Sequence, residues 1–151
     1  MKNTETELCQ RLQNVCEFNS DEDIDEFVDI TSQLRGSKDP EVLRCMLRCF
    51  RDTDAGEVQY ELVEACEEFS DELYVPIFLE EGLEFLARSP EWFSLMFQSI
   101  LNTTSCVDQV VKNFSHLPVD AQNRYLKCVR KLNEETTHEY SDVLALLESI
   151  K

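Results

Sequence analysis

Apolar side chains recur at spacings of three and four along nearly all of this 151-residue chain, and the residues that would let it turn back tightly as a sheet are missing. There are three glycines and four prolines, and none of the pairs Asn-Gly, Asp-Gly or Gly-Gly occurs. Two-residue β-hairpins lean on such pairs, because their turns need positive φ. Helices joined by short polar loops do not. The expected class is therefore all-α. The hydrophobic fraction of 42% is too high for a disordered acidic chain, and the length suits a single domain over residues 1–151 with one core.

The periodicity predicts a first helix over roughly residues 4–17, with Leu8, Leu12 and Val15 in one stripe. Ser20 reads as the cap of a second helix, with Asp21, Glu22 and Asp23 in its first turn and Gly36 at its end. Asp39-Pro40-Glu41 opens a third, and Gly56 marks the next break. Val58 to Phe69 follows at helical spacing. Ser70-Asp71-Glu72 starts a helix that should bend or restart at Pro76, since proline cannot donate to the preceding turn. Ser89-Pro90-Glu91-Trp92-Phe93 repeats the grammar of Asp39-Pro40-Glu41-Val42-Leu43, with Ser89 as the cap. Helices around Val107–Phe114, after Leu117-Pro118 and from about Thr137 complete the chain. Eight or nine short helices with short loops must lie antiparallel, as a HEAT- or armadillo-like superhelical stack or as a compact bundle.

Catalytic signatures are absent. Three isolated glycines cannot build a phosphate-binding loop, and His116 and His138 belong to no metal or nucleophile motif. Cys45 and Cys49 share a helix face but have no second Cys-x-x-Cys pair, so they read as core thiols rather than zinc ligands. Carboxylates are too abundant for any pair to signal acid–base work, and no Glu-x-x-His tetrad is present. No metal, cofactor or enzymatic activity is expected. The N-terminus lacks the apolar core of a signal peptide, no stretch approaches a membrane span, and the odd number of cysteines (seven) suits reduced thiols, so a cytoplasmic location is expected.

Charge is the unusual quantity. Thirty-one acids face fourteen bases, for a net charge of −17. Such a field repels nucleic acids and anionic membranes and attracts basic proteins. It is also uneven, because no Lys or Arg occurs from Asp52 through Ala87, where twelve acids fall. Glu57, Glu61, Glu64 and Glu68 stand at i, i+4, i+7 and i+11 along one helix, Asp21, Asp25 and Asp29 form a second stripe, and Glu80 with Glu84 a third. Each like-charged i,i+4 pair costs a helix about 0.2–0.5 kcal/mol. Solubility alone would favour interspersed signs. The candidate partner-binding set is therefore Glu57, Glu61, Glu64, Glu68, Asp71, Glu72, Glu80 and Glu84, with Tyr60, Tyr74 and Trp92 as aromatic anchors. Trp92, Phe93 and Phe97 also sit at the spacing of a helix core. A nucleic-acid-cutting enzyme carries a basic cleft, which stacked carboxylates can occupy.

The stretch from Glu80-Glu81-Gly82-Leu83-Glu84-Phe85-Leu86 through Ser89-Pro90-Glu91-Trp92-Phe93 to Ile100-Leu101-Asn102, with the size, acidity and helical-repeat texture, resembles the small all-α immunity proteins of bacterial polymorphic toxin and contact-dependent growth inhibition systems. The resemblance implies a cytosolic protein that binds one cognate toxin domain, often a nuclease, and blocks it, commonly by covering the active site. It carries over no individual contact residue. The competing reading is a HEAT-like adaptor that assembles a larger complex, although such scaffolds usually contain more repeats than 151 residues allow.

Overall fold

A computed structural model describes residues 2–53 and 56–150. Among them are nine α-helices and no strand: α1 Asn3–Val15, α2 Asp21–Leu34, α3 Pro40–Leu47, α4 Gln59–Glu67, α5 Asp71–Arg88, α6 Pro90–Leu101, α7 Thr104–Phe114, α8 Val119–Glu135 and α9 Ser141–Ile150. A single 3-10 turn, Gly56–Val58, leads into α4. The all-α expectation holds.

Local signals account for several helix ends. The Ser20 hydroxyl accepts the Asp23 N–H at 3.2 Å, and the Asp39 carboxylate accepts the Glu41 N–H at 2.9 Å ahead of Pro40. Gly36, at φ +83°, takes the left-handed conformation that stops α2, and the Ser37 N–H returns to the Leu34 carbonyl. Two expectations need correction. Helix α5 runs without a restart through Pro76, which falls in its second turn. The only intrahelical bond lost is to the carbonyl of Glu72, an exposed residue that water can reach. The last helix begins at Ser141 rather than near Thr137, because His138 sits at φ +58° and Asn133 Oδ1 takes the Tyr140 N–H at 2.9 Å, holding the chain in a turn.

The chain divides into two compact units, the first ending at Ser94 and the second beginning at Leu95, inside α6. In the first, α1 packs on α2, and helices two apart in sequence pack on one another: α1 on α3, α2 on α4, α3 on α5. An aromatic cluster fills its end, with Phe50 stacked on Phe85 (5.2 Å between ring centres) and Phe78 on Phe93 (5.6 Å). In the second, α7 and α8 pack against α9 around Val110, Phe114, Leu126, Val129 and Leu147, and Phe97 meets Tyr125 at 5.8 Å.

The N–H groups of Arg48 and Cys49 still bond back into α3, but the backbone from Phe50 to Thr53 leaves the helix, and later side chains satisfy it and the end of α3. Buried Gln59 accepts the Arg51 N–H (2.8 Å) and donates to the Arg51 carbonyl (2.7 Å). Arg88 donates to the Leu47 carbonyl (2.8 Å), and the Ser89 hydroxyl donates to that of Phe50 (2.7 Å). Because the Ser89 hydroxyl is so engaged, it does not cap α6; the Asp52 carboxylate does, accepting the N–H groups of Glu91 and Trp92 at 3.0 and 3.3 Å. Replacing Gln59 with Leu keeps the volume but strands a backbone donor and acceptor. The expected loss is about 2 kcal/mol, read as a thermal midpoint about 4–8 °C lower; an unchanged midpoint would contradict this role for Gln59.

Candidate protein-binding surface

The first unit holds 24 acids and 8 bases, the second 7 acids and 6 bases, so the charge imbalance belongs to the first. The glutamates of α4 lack basic neighbours in sequence, but the fold supplies one. Arg35, just after α2, reaches across the α2–α4 contact to Glu68 (2.7 Å), Glu64 (3.3 Å) and Glu61 (3.6 Å). These hydrogen-bonded carboxylates, Glu68 foremost, push the guanidinium pKa above its ordinary value. One cation thus serves three anions, and the site stays net negative. Glu57, in the 3-10 turn, and Glu72, in the first turn of α5, are exposed and make no ion pair among the described residues.

Glu80 and Glu84 belong to a separate group on the α3–α5 pair. Arg44 bridges Glu80 (2.9 Å) and Glu41 (2.6 Å). Arg48 pairs with Glu81 (2.6 Å), a carboxylate buried among apolar neighbours that sequence reasoning passed over, and Glu84 adds its field to the same guanidinium. The structure therefore gathers Glu61, Glu64 and Glu68 around one cation, and places Glu80 and Glu84 with different arginines. Asp71 begins α5 beside Glu72.

The three aromatic candidates separate by burial. Tyr60 is 51% exposed, while Tyr74 (4%) and Trp92 (8%) are packed inside. The Trp92 ring is 5.7 Å from that of Phe50 and meets Tyr60 edge-to-face at 4.9 Å, so a buried ring packs against the exposed one. An exposed ring held by a buried one, with Glu57 three residues before it in the 3-10 turn and Glu64 four after it on α4, forms an aromatic platform rimmed by carboxylates. Such a surface suits Arg and Lys side chains through cation–π contact and charge-assisted hydrogen bonds. None of the arginines that hold the glutamates was flagged in the sequence, since Arg35, Arg44 and Arg48 all lie outside the acidic stretch and only tertiary packing brings them to it.

Residues 13–110, 98 of the 151, match the family described as Immunity protein 30. The chain belongs to that family, and is an immunity protein of a polymorphic toxin system. No curated protein and no solved structure matches it. Among the described residues no helix is long and apolar enough to cross a membrane.

Replacing Arg35 with Gln removes the shared cation and leaves the carboxylates of α4 to repel one another. The variant is expected to unfold at lower urea than the parent in dilute buffer. The gap should close as salt rises towards about 1 M, where the screening length is about 3 Å; a gap that does not respond to salt would show that Arg35 acts through packing instead.

Proposed function

We propose that this immunity protein neutralises a cognate toxin domain with a basic, nucleic-acid-cutting active site, and that it does so by seating the α4 face of its first unit in that site. The face consists of Glu57, Glu61, Glu64 and Glu68 around exposed Tyr60, extended by Asp71 and Glu72 at the start of α5. Glu80 and Glu84 widen the negative field on the neighbouring α3–α5 pair. The observation that carries the reading is the arrangement at Arg35, where three carboxylates converge on one guanidinium next to an exposed aromatic ring.

The chemistry is that of substrate mimicry by charge. An enzyme that cleaves nucleic acid holds phosphates with Lys and Arg, and a rigid row of carboxylates offers those same cations an alternative partner. Attraction between opposite fields speeds encounter, and the aromatic platform supplies contact area that long-range charge does not. The protein acts by binding rather than by turnover, in the cytoplasm of the cell that makes the toxin.

The test is capture of the partner from native lysate on the purified protein, followed by kinetics with variants. Recovery of a basic domain whose nuclease activity the parent protein abolishes is the expected result; a partner without a basic face would overturn the reading. Changing Glu57 and Glu72 together to Lys is expected to slow association at least tenfold in low salt and to flatten its salt dependence. The same charge change made at Glu134 and Glu139 in the second unit should have a much smaller effect. Equal effects from both pairs would mean that net charge, and not this face, governs binding.

A further inference from the structure

The first unit contains a cluster of nucleophiles that the charged face does not use. Cys9 lies on α1 and Cys16 just after it, Cys45 lies on α3 and Cys49 just after that, and α1 packs against α3. The Cys45 thiol is within hydrogen-bonding reach of both Cys9 and Cys49, and Cys49 also reaches Cys16. The sulfurs thus form a continuous row, Cys9–Cys45–Cys49–Cys16, across the helix–helix contact. In its protonated form the Cys45 thiol also donates to the carbonyl oxygen of Cys9 at 3.7 Å, which sets its sulfur against the Cys9 residue. The row is not a metal site: among the described residues no three His, Cys, Asp or Glu side chains are placed to hold an ion.

All four cysteines are buried, but unevenly. Cys9 and Cys45 retain 5% and 6% exposure, against 1% for Cys16 and 0% for Cys49. The row therefore opens at its Cys9–Cys45 end. The thiols also differ in acidity. Hydrogen bonds from Cys49 and then Cys9 stabilise a thiolate at Cys45, with the Arg48 guanidinium adding to them, so its pKa is lowered. Cys9 and Cys49, the donors, are raised. Cys16, at the buried end, is also lowered; of the two thiols at the open end, Cys45 is the one whose thiolate is favoured.

We propose that Cys9 and Cys45 are a modification site: a reduced pair that peroxide converts to a disulfide joining α1 to α3. The Cys45 thiolate attacks one oxygen of hydrogen peroxide, the O–O bond breaks, and the departing hydroxide takes a proton and leaves as water. Cys45 is then a sulfenic acid. The sulfur of Cys9 attacks the Cys45 sulfur, the S–O bond breaks, and the Cys9 proton leaves with the second water. Two thiols are oxidised by two electrons and one peroxide is reduced to two waters. The bond closes the α1–α2 hairpin into a covalent loop, which restricts the unfolded chain and raises stability.

The experiment uses the full-length chain carrying Cys128→Ser, which removes the one cysteine that is not buried. Folded protein is treated with hydrogen peroxide, its remaining thiols are alkylated in denaturant, and it is mapped without reductant. Expected are a Cys9–Cys45 cross-linked peptide, a mass loss of two hydrogens, and a thermal midpoint raised until reductant is added. The further change Cys9→Ala should abolish the cross-link and leave a Cys45 sulfenic acid that dimedone traps. The proposal fails if every thiol stays alkylatable after peroxide, or if the cross-link joins a different pair. Mapping of the Cys128→Ser chain decides the matter even if the Cys9 variant does not fold.

Discussion

The irregular backbone that follows α3, around Phe50 and Arg51, ties together later helices of the first unit. Phe50 is fully buried and Arg51 partly so, and an unpaired backbone group in such a place would cost about 1–3 kcal/mol. Gln59 from α4, Arg88 from α5 and Ser89 at the head of α6 meet that demand, while Asp52 in return caps α6. One short stretch of backbone therefore sets where three helices begin or end. Burial strips water from Arg88 and lowers its pKa, yet two carbonyls and the Phe85 ring, 5.6 Å away, receive its charge. The carboxylate face rests on this framework, since Gln59 and Tyr60 are consecutive residues of α4, the first buried in the core and the second exposed to solvent.

Electrostatics and stability pull against each other on that face. Repeated glutamates weaken α4 as an isolated helix, and the molecule offsets the strain with cations borrowed from elsewhere in the fold rather than with lysines along the same helix. The compensation is partial at Arg35, where anions outnumber the cation, and closer at Arg48, where one guanidinium meets the buried Glu81. Full compensation would have produced a neutral surface. What remains is negative charge fixed in place by ion pairs, on an immunity protein whose family implies a cognate toxin as its target.

The helices were largely legible because their information is local. Spacings of three and four, the caps at Ser20 and Asp39, and Gly36 at the end of α2 are all written within a few residues of where they act. The corrections fall where distant groups intervene. Ser89 looks like a cap, but its hydroxyl is drawn to Phe50 and the cap comes from Asp52, nearly forty residues earlier. Pro76 is a breaker in principle, but its place in the second turn leaves only the carbonyl of Glu72, an exposed residue, to be solvated. At the candidate surface the acidic stretch and Tyr60 were visible, while the split between the Arg35 group and the Arg44–Arg48 group was not. The core spacing of Trp92 with Phe93 and Phe97 agrees with its burial, while the burial of Tyr74 was not visible, since helical periodicity assigns a residue to a face without saying what covers that face.

The central claim is that the toxin meets the first unit along the 3-10 turn, α4 and the start of α5. Hydrogen–deuterium exchange of the chain, free and bound to its captured toxin domain, measures this directly. Slowed exchange across residues 57–72, with α7, α8 and α9 unchanged, is the predicted result. Protection confined to the second unit, with residues 57–72 exchanging as in the free protein, would contradict it.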